Sequence, residues 1–446
     1  MRTLSTARAS ALCLALATLA LAARGARGSG FEVRQGGPSI GNAGAGANAT
    51  ADDPSTAWFN PAGMSYLVKD EYAAYVDLVD ISVRFRNRGS TDSSGAPLSG
   101  GNGLDAGGGA VIPNLYAVLK LDDDWRLGFS VNSPFGLGAD YGDHWAGRYF
   151  TTRASLHTVE LGIEASRSLS KSLSIGAGID IQQAEAKLDS AIDFGTIAAT
   201  TFGTGPAAAL GLTPQGNDGG VKLRADSLGV GMRAGLLFRP DEATSVGLSY
   251  RSSVFQKLEG DADFTVPKKA ALLTAGGAFR DSGVTARTRL PEAFSLGAAR
   301  RVAPKWTLVG QIDWTRWSRF QELRVQFDNP NQPDSVDNEN WHDATRYSLG
   351  AIFRPSDTWT LRAGIAYDQS PVLDDYRTPA IPDNDRRWVA LGVEKRLGKR
   401  VTVGLEYAHE FLGDGDVRLS DPFKGSLRGS IQSSIDILNV LVTVDF

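Results

Sequence analysis

From Lys69 to the C terminus, apolar and polar residues alternate with a period of two, which limits this part of the chain to strands with two unlike faces. In WTLRAGIAYD, Trp359, Leu361, Ala363, Ile365 and Tyr367 share one face, and Arg362, Gly364, Ala366 and Asp368 share the other. In VTVGLEYAHE, Val401, Val403, Leu405 and Tyr407 alternate with Thr402, Gly404, Glu406 and Ala408. Fourteen such segments begin near Tyr72, Ile112, Trp125, Ser155, Leu173, Leu223, Ser245, Ala286, Trp306, Ala344, Trp359, Arg387, Val401 and Ser434. Short turns join them at residues 122–124, 170–171, 240–243, 303–305, 356–357 and 398–399. Every other connection is longer and rich in Gly, Pro, Asn and Asp.

An even strand number with short turns at one end and long loops at the other is the pattern of an outer-membrane barrel. A soluble sandwich has no reason to sort its loops in this way. The predicted fold is therefore all-β: a 14-stranded antiparallel transmembrane β-barrel, closed because an open edge in hydrocarbon leaves backbone groups unpaired. Trp125, Trp306 and Trp359 each follow a short turn, as one interfacial girdle requires. Trp341 and Trp388 follow long loops and suit the opposite girdle. The chain finishes on Leu438, Val440, Val442, Val444 and Phe446, an apolar face ending in an aromatic. It looks like the C-terminal signal read by the barrel-assembly machinery, with Phe446 as its last residue.

The first residues set the address. Arg2 and Arg8 precede the small apolar run Ala9–Ala23, which is shorter than the about 20 residues of a spanning helix. Residues 1–28 are expected to be a secretory signal peptide. The single cysteine, Cys13, lies inside it, so the exported chain has no disulfide, thiol nucleophile or cysteine metal site. Without Arg2, Arg8, Arg24 and Arg27, 42 basic residues of the 46 face 50 acidic ones, a net of −8. That balance, with no basic cluster, argues against nucleic-acid binding.

The stretch GNAGAGANATADDPSTAWFNPAGM, from Gly41 to Met64, comes near to a dinucleotide fingerprint but lacks the preceding strand and following helix that such a site needs. No cofactor is expected. Asp122–Asp124 lack the alternating ligand geometry of a calcium loop, so no metal is expected either. His144, His157, His342 and His409 stand beside no recognisable nucleophile, and no catalytic residue is assigned. Pro134 must cost the third strand a ladder hydrogen bond. On sequence alone this is either a break in the wall or simple strand termination.

Four blocks in order carry a resemblance. They are GFEVRQGGPSIGNAGAGANATADDPSTAWFNPAGMSYL, PFGLGADYGDHWAGRY, LPEAFSLGAARRVAPKWTLVGQIDWTRWSRFQEL and LRAGIAYDQSPVLDDYRTPAIPDNDRRWVALGVEKRL. Together they resemble the FadL-like long-chain fatty acid and hydrocarbon transporters of Gram-negative outer membranes. The resemblance implies that residues 29–68 fold into the lumen as a hatch and that 69–446 form the barrel. It implies ligand contact at Phe31, and a fixed hinge at Asn60, Pro61 and Ala62. It places a lateral opening at Asn132, Ser133, Pro134, Phe135 and Gly136, with Phe135, Leu137, Tyr141 and Trp145 as a greasy access surface. Lys187 and Arg362 are candidates to face the lumen and meet a fatty carboxylate. The expected role is passive, ligand-gated uptake of a hydrophobic small molecule, a fatty acid or an aromatic or alkane hydrocarbon. The expected setting is a monomer among outer-membrane lipid and lipopolysaccharide, both mature termini on the periplasmic side. A surface receptor or adhesin, or an outer-membrane acyl hydrolase, is the competing reading.

Overall fold

The computed structural model describes residues 30–446; the expected signal peptide, with Cys13, falls outside them. The wall comprises β1 (Glu71–Asn87), β2 (Gly108–Lys120), β3 (Trp125–Asn132, resuming as Gly136–Asp140), β4 (Arg153–Ser168), β5 (Leu173–Asp193), β6 (Asp218–Asp241) and β7 (Thr244–Arg251, resuming as Val254–Thr265). It continues with β8 (Ser282–Leu290, resuming as Ala293–Ala303), β9 (Trp306–Thr315, resuming as Glu322–Phe327), β10 (Ala344–Ser356), β11 (Trp359–Asp368), β12 (Arg386–Leu397), β13 (Val401–Leu412) and β14 (Gly425–Asp445). Each strand pairs antiparallel with the next, and β1 closes the ring on β14 from Glu71↔Asp445 to Asn87↔Gly429. Closure leaves no sheet edge for hydrocarbon to strand. β14 starts at Gly425, ahead of the expected Ser434, because it extends past the ring as a hairpin with Gly415–Asp421. A second arm, Ser335–Asn338, pairs with Glu322–Val325.

The alternation sorts the two faces as the sequence requires. On β11, Leu361 and Ile365 are exposed to the outside while Arg362 and Asp368 are buried inside. Trp125, Trp306 and Trp359 stand on the outer surface near the short turns. Trp341 and Trp388 do not form the opposite girdle, for both are buried. Trp388 shares the inward parity of Arg386 and Ala390 and lies 5.0 Å from the Arg346 guanidinium. Trp341 folds inward from the loop before β10. An outer face of Leu, Ile and Val gains about 1.5–3 kcal/mol per side chain on leaving water, and the bilayer is the only phase that supplies this.

Inside, burial is made tolerable by pairing. Arg233 lies 2.6 Å from both Glu160 and Asp180, and Arg386 is bound by Asp383 and Glu410. A charge stripped of water is costly unless an opposite charge and hydrogen bonds replace the solvent.

Residues 30–67 lie within the ring, turning through three short helical turns, Ile40–Asn42, Thr56–Phe59 and Pro61–Tyr66. Asn48 donates to Gly247 O and Ser295 O, Gly41 N donates to Glu406, Ser174 donates to Ala62 O, and Tyr116 donates to Gly36 O. These partners stand on strands all round the wall. Gly44 and Gly46 take φ of 76° and 75°, in the left-handed region that favours glycine. The wall makes room in turn: a Cβ on Gly364 would overlap Asn42 O, and one on Gly247 would overlap Asn48 O.

Gly364→Leu should therefore displace the N-terminal segment, at an overpacking cost of about 1–3 kcal/mol, while the ring still closes. With Ser39→Cys as reporter, maleimide labelling of the folded barrel should be slow in the parent and fast in the Gly364→Leu variant. Equal labelling rates, with heat-dependent gel migration intact in both, would show that the close approach does not hold the segment.

Candidate transport site

Three features meet at the long-loop end of the lumen. The first is the break in β3. β2 pairs with β3 only from Leu115↔Val131 to Lys120↔Arg126; Gly108–Asn114 pairs with β1 alone. Pro134 sits in the break, and the far edge is stitched from inside by the N-terminal segment. Val33 N donates to Pro134 O at 2.8 Å, and Gly136 N donates to Phe31 O at 2.9 Å. The Gln35 carboxamide substitutes for a strand partner: it accepts from Ser133 N at 2.9 Å and donates to Ser133 O at 2.9 Å. On the other side Phe135 is held by Thr158, whose hydroxyl accepts from Phe135 N and donates to Phe135 O. Asn132 bridges to Asn114 and Tyr116 on β2, just below the gap.

The second feature is an aromatic box. Phe31, 3% exposed, meets Trp317 at 4.8 Å, Trp341 at 5.5 Å, Phe320 at 5.6 Å and Phe135 at 6.0 Å between ring centroids. Three of these four contacts are edge-on, the arrangement that ring quadrupoles favour. The third is a cavity of about 540 Å³ that opens from the box toward the long loops. Its wall is mixed: Leu156, Leu188, Leu258, Leu290 and Leu323 line it together with polar side chains such as Asp337, Asp375 and Arg418. Glu339 also lines it.

The family described as "Outer membrane protein transport protein (OMPP1/FadL/TodX)" matches residues 19–446. The chain belongs to the FadL/TodX family. It is 31% identical over 423 residues to a long-chain fatty acid transport protein of Escherichia coli O6:H1, covering 90% of each chain. It is 30% identical over 415 residues to outer membrane protein P1 of Haemophilus influenzae, covering 87% of each. In fold it matches a Pseudomonas aeruginosa FadL homologue, with a TM-score of 0.86 and 24% identity over 94% of this chain and 100% of that one. The toluene transporter TodX of Pseudomonas putida follows at a TM-score of 0.65 and 21% identity, over 94% and 99%. The chain is thus a β-barrel of a transport and channel family whose relatives are outer-membrane proteins.

Within this FadL/TodX barrel the expected residues fall unevenly. Phe31, Ser133, Pro134, Phe135 and Gly136 converge on the break, and Leu137 lines the cavity beside them. The exposed access surface is not where the sequence put it. Phe135, Leu137, Tyr141 and Trp145 are all buried. Tyr141 stacks on Trp145 at 4.2 Å, and Trp145 meets Phe85 at 5.2 Å, so these two side chains fold inward as packing for β1. Aromatic rings on a loop gain more by that burial than by facing water.

Asn60 ties the segment both to itself and to the wall. Its amide donates to Asn48 O and to Leu236 O, and its carbonyl oxygen accepts from Ala62 N to cap the turn that Pro61 begins. Lys187 faces outward, contrary to expectation: its neighbours Ala186 and Leu188 line the cavity, so the pleat turns Lys187 away, where it pairs with Glu185. Arg362 does face the lumen but is already engaged by Glu394 at 2.5 Å, with Asp52 and Glu406 at 3.8 Å. It anchors the N-terminal segment through Asp52 and lies apart from the cavity lining.

Trp341 enters the sequence reading as a girdle residue and not as part of a box, and the box residues Trp317 and Phe320 escaped that reading. Their signal was the run WTRWSRF, where aromatics crowd a strand that then breaks between Thr315 and Glu322. Glu339 escaped it too. Its carboxylate accepts from the Trp341 indole N–H at 2.9 Å, and burial pushes the carboxyl from 4.5 up to about 8.

Because the folded loop favours the protonated acid, Glu339 supports it fully below about pH 4.5, and that support is lost as pH rises through about 8. Hydrogen-exchange protection of residues 335–343, corrected for intrinsic exchange, should fall across this window. Glu339→Gln should flatten the fall; a profile unchanged in the variant would assign the titration elsewhere.

Proposed function

We propose that the chain is a channel for passive uptake of hydrophobic compounds across the outer membrane, with long-chain fatty acids as the leading substrate. The observation that carries the reading is the N-terminal segment bonded into the break of β3 beside a cavity with leucines in its wall. A compound settling in the cavity meets Phe31, and movement of Phe31 pulls on Val33 and Gln35, which hold the edge of the break. Residues 30–67 then act as the hatch, and the gap beside Gly108–Asn114 is the lateral exit into the bilayer. The short-turn end and both mature termini face the periplasm in this reading, and the long loops meet lipopolysaccharide. The barrel works as a monomer, delivered by the assembly machinery through the Phe446 signal.

Relatives named for fatty acids support the substrate, and the leucines of the lining suit an acyl tail. The aromatic box favours the second reading, uptake of aromatic hydrocarbons, as the name of TodX suggests for that protein.

Uptake of radiolabelled oleate and toluene should be measured in a strain lacking its own fatty-acid channel. Oleate uptake above the vector control is the expected result. Toluene alone would select the hydrocarbon reading, and uptake of neither by a folded barrel would sink both.

A further inference from the structure

Arg251 ends the first half of β7 and points into the lumen behind the aromatic box. Its guanidinium lies 5.1 Å from the Phe135 ring and 5.4 Å from the Trp58 ring. Nη2 donates to Glu32 at 2.9 Å, while Nη1 is buried with no hydrogen-bond partner. Deeply buried lumenal arginines take their carboxylates from the wall: Arg233 from Glu160 and Asp180, Arg362 from Glu394, Arg386 from Glu410, and Arg346 from Asp313 and Asp368, although Arg346 Nε and Nη1 also lack hydrogen bonds. Among the described residues, the carboxylate within ion-pair distance of Arg251 is Glu32 alone. Glu32 belongs to the N-terminal segment, and its second oxygen takes a 3.4 Å hydrogen bond from Thr315.

We infer that Arg251 is the carboxylate-recognising group of this channel, and that Glu32 occupies it as an internal stand-in for the substrate. The inference rests on the uptake reading and names its substrate class as long-chain monocarboxylates. Phe31 and Glu32 together carry an apolar group into the box and a carboxylate onto a guanidinium, which is the chemistry of the amphiphile itself. Withdrawal of the segment strands Arg251 with at least two unused donors between the Phe135 and Trp58 rings. A desolvated cation in that state needs a replacement anion. A fatty carboxylate supplies one in the two-pronged geometry that guanidinium prefers; a neutral hydrocarbon supplies none. Glu32 and the substrate therefore compete for one cation, and binding is coupled to departure of the residues that stitch the β3 break.

The test uses the purified full-length barrel with two probes sharing one tail, oleate and methyl oleate, in equilibrium dialysis. Arg251→Gln should weaken oleate about tenfold or more, the scale of a lost charged hydrogen bond, and leave methyl oleate within about twofold. Glu32→Gln should tighten oleate, because it removes the competitor; a merely structural pair would give loss in both variants. Heat-dependent gel migration confirms that each variant is folded. Unchanged oleate binding in Arg251→Gln, or an equal loss of both probes, overturns the inference and leaves the uptake reading standing. Failure of the folded parent to bind either probe overturns both.

Discussion

Everything in this molecule follows from the need to pair main-chain polar groups where no water can reach them. Fourteen strands closed on themselves satisfy that need around the whole circumference, and the register from Glu71↔Asp445 to Asn87↔Gly429 removes the last edge. The requirement is relaxed at β3, where β2 loses its neighbour above Leu115. There the protein brings its own N-terminal residues to the opposite edge, main chain to main chain at Val33 and Phe31 and side chain to main chain at Gln35. The break in the wall and the N-terminal segment bonded to it are built together.

The lumen shows the converse problem. A ring wide enough to hold a segment of chain also encloses many polar side chains away from bulk water. Most are neutralised within the wall, so the interior is a fixed scaffold of ion pairs such as Arg233 with Glu160 and Asp180. The segment is seated against that scaffold by backbone carbonyls and amides, as at Asn48, Asn60 and Ala43, whose carbonyl oxygen accepts from Arg346. Arg251 with Glu32 and Arg354 with Asp52 differ because one partner belongs to the segment.

The sequence made the fold legible because a two-faced strand writes its environment into every residue. Leu361, Arg362 and Ala363 could be sorted without any structure, and the turn lengths ordered the strands. What the period does not carry is which residues meet across the lumen. Lys187 is a lumen-facing candidate from its sequence, yet the pleat that places Ala186 and Leu188 on the cavity turns it outside. Trp341 and Trp388 follow long loops as girdle residues do, yet inward parity and loop folding bury them. Proline's missing N–H places a lost ladder bond at Pro134, and the break is there. Its stitching partner Gln35 carries no sequence signal, because it acts across about one hundred residues through a carboxamide that any surface glutamine also has.

Pro134 has a further effect on the reversibility of any opening. Residues 134 and 136 turn their main-chain groups toward the N-terminal segment, while Phe135 turns toward β4. An ordinary residue at 134 would present an N–H there as well as a carbonyl. Proline has none, so withdrawal of the segment orphans fewer donors on the exposed rim. A rim with fewer unmet donors is also a poorer template for a foreign strand. The same proline that interrupts the wall leaves the interruption with one donor fewer to offer a foreign strand.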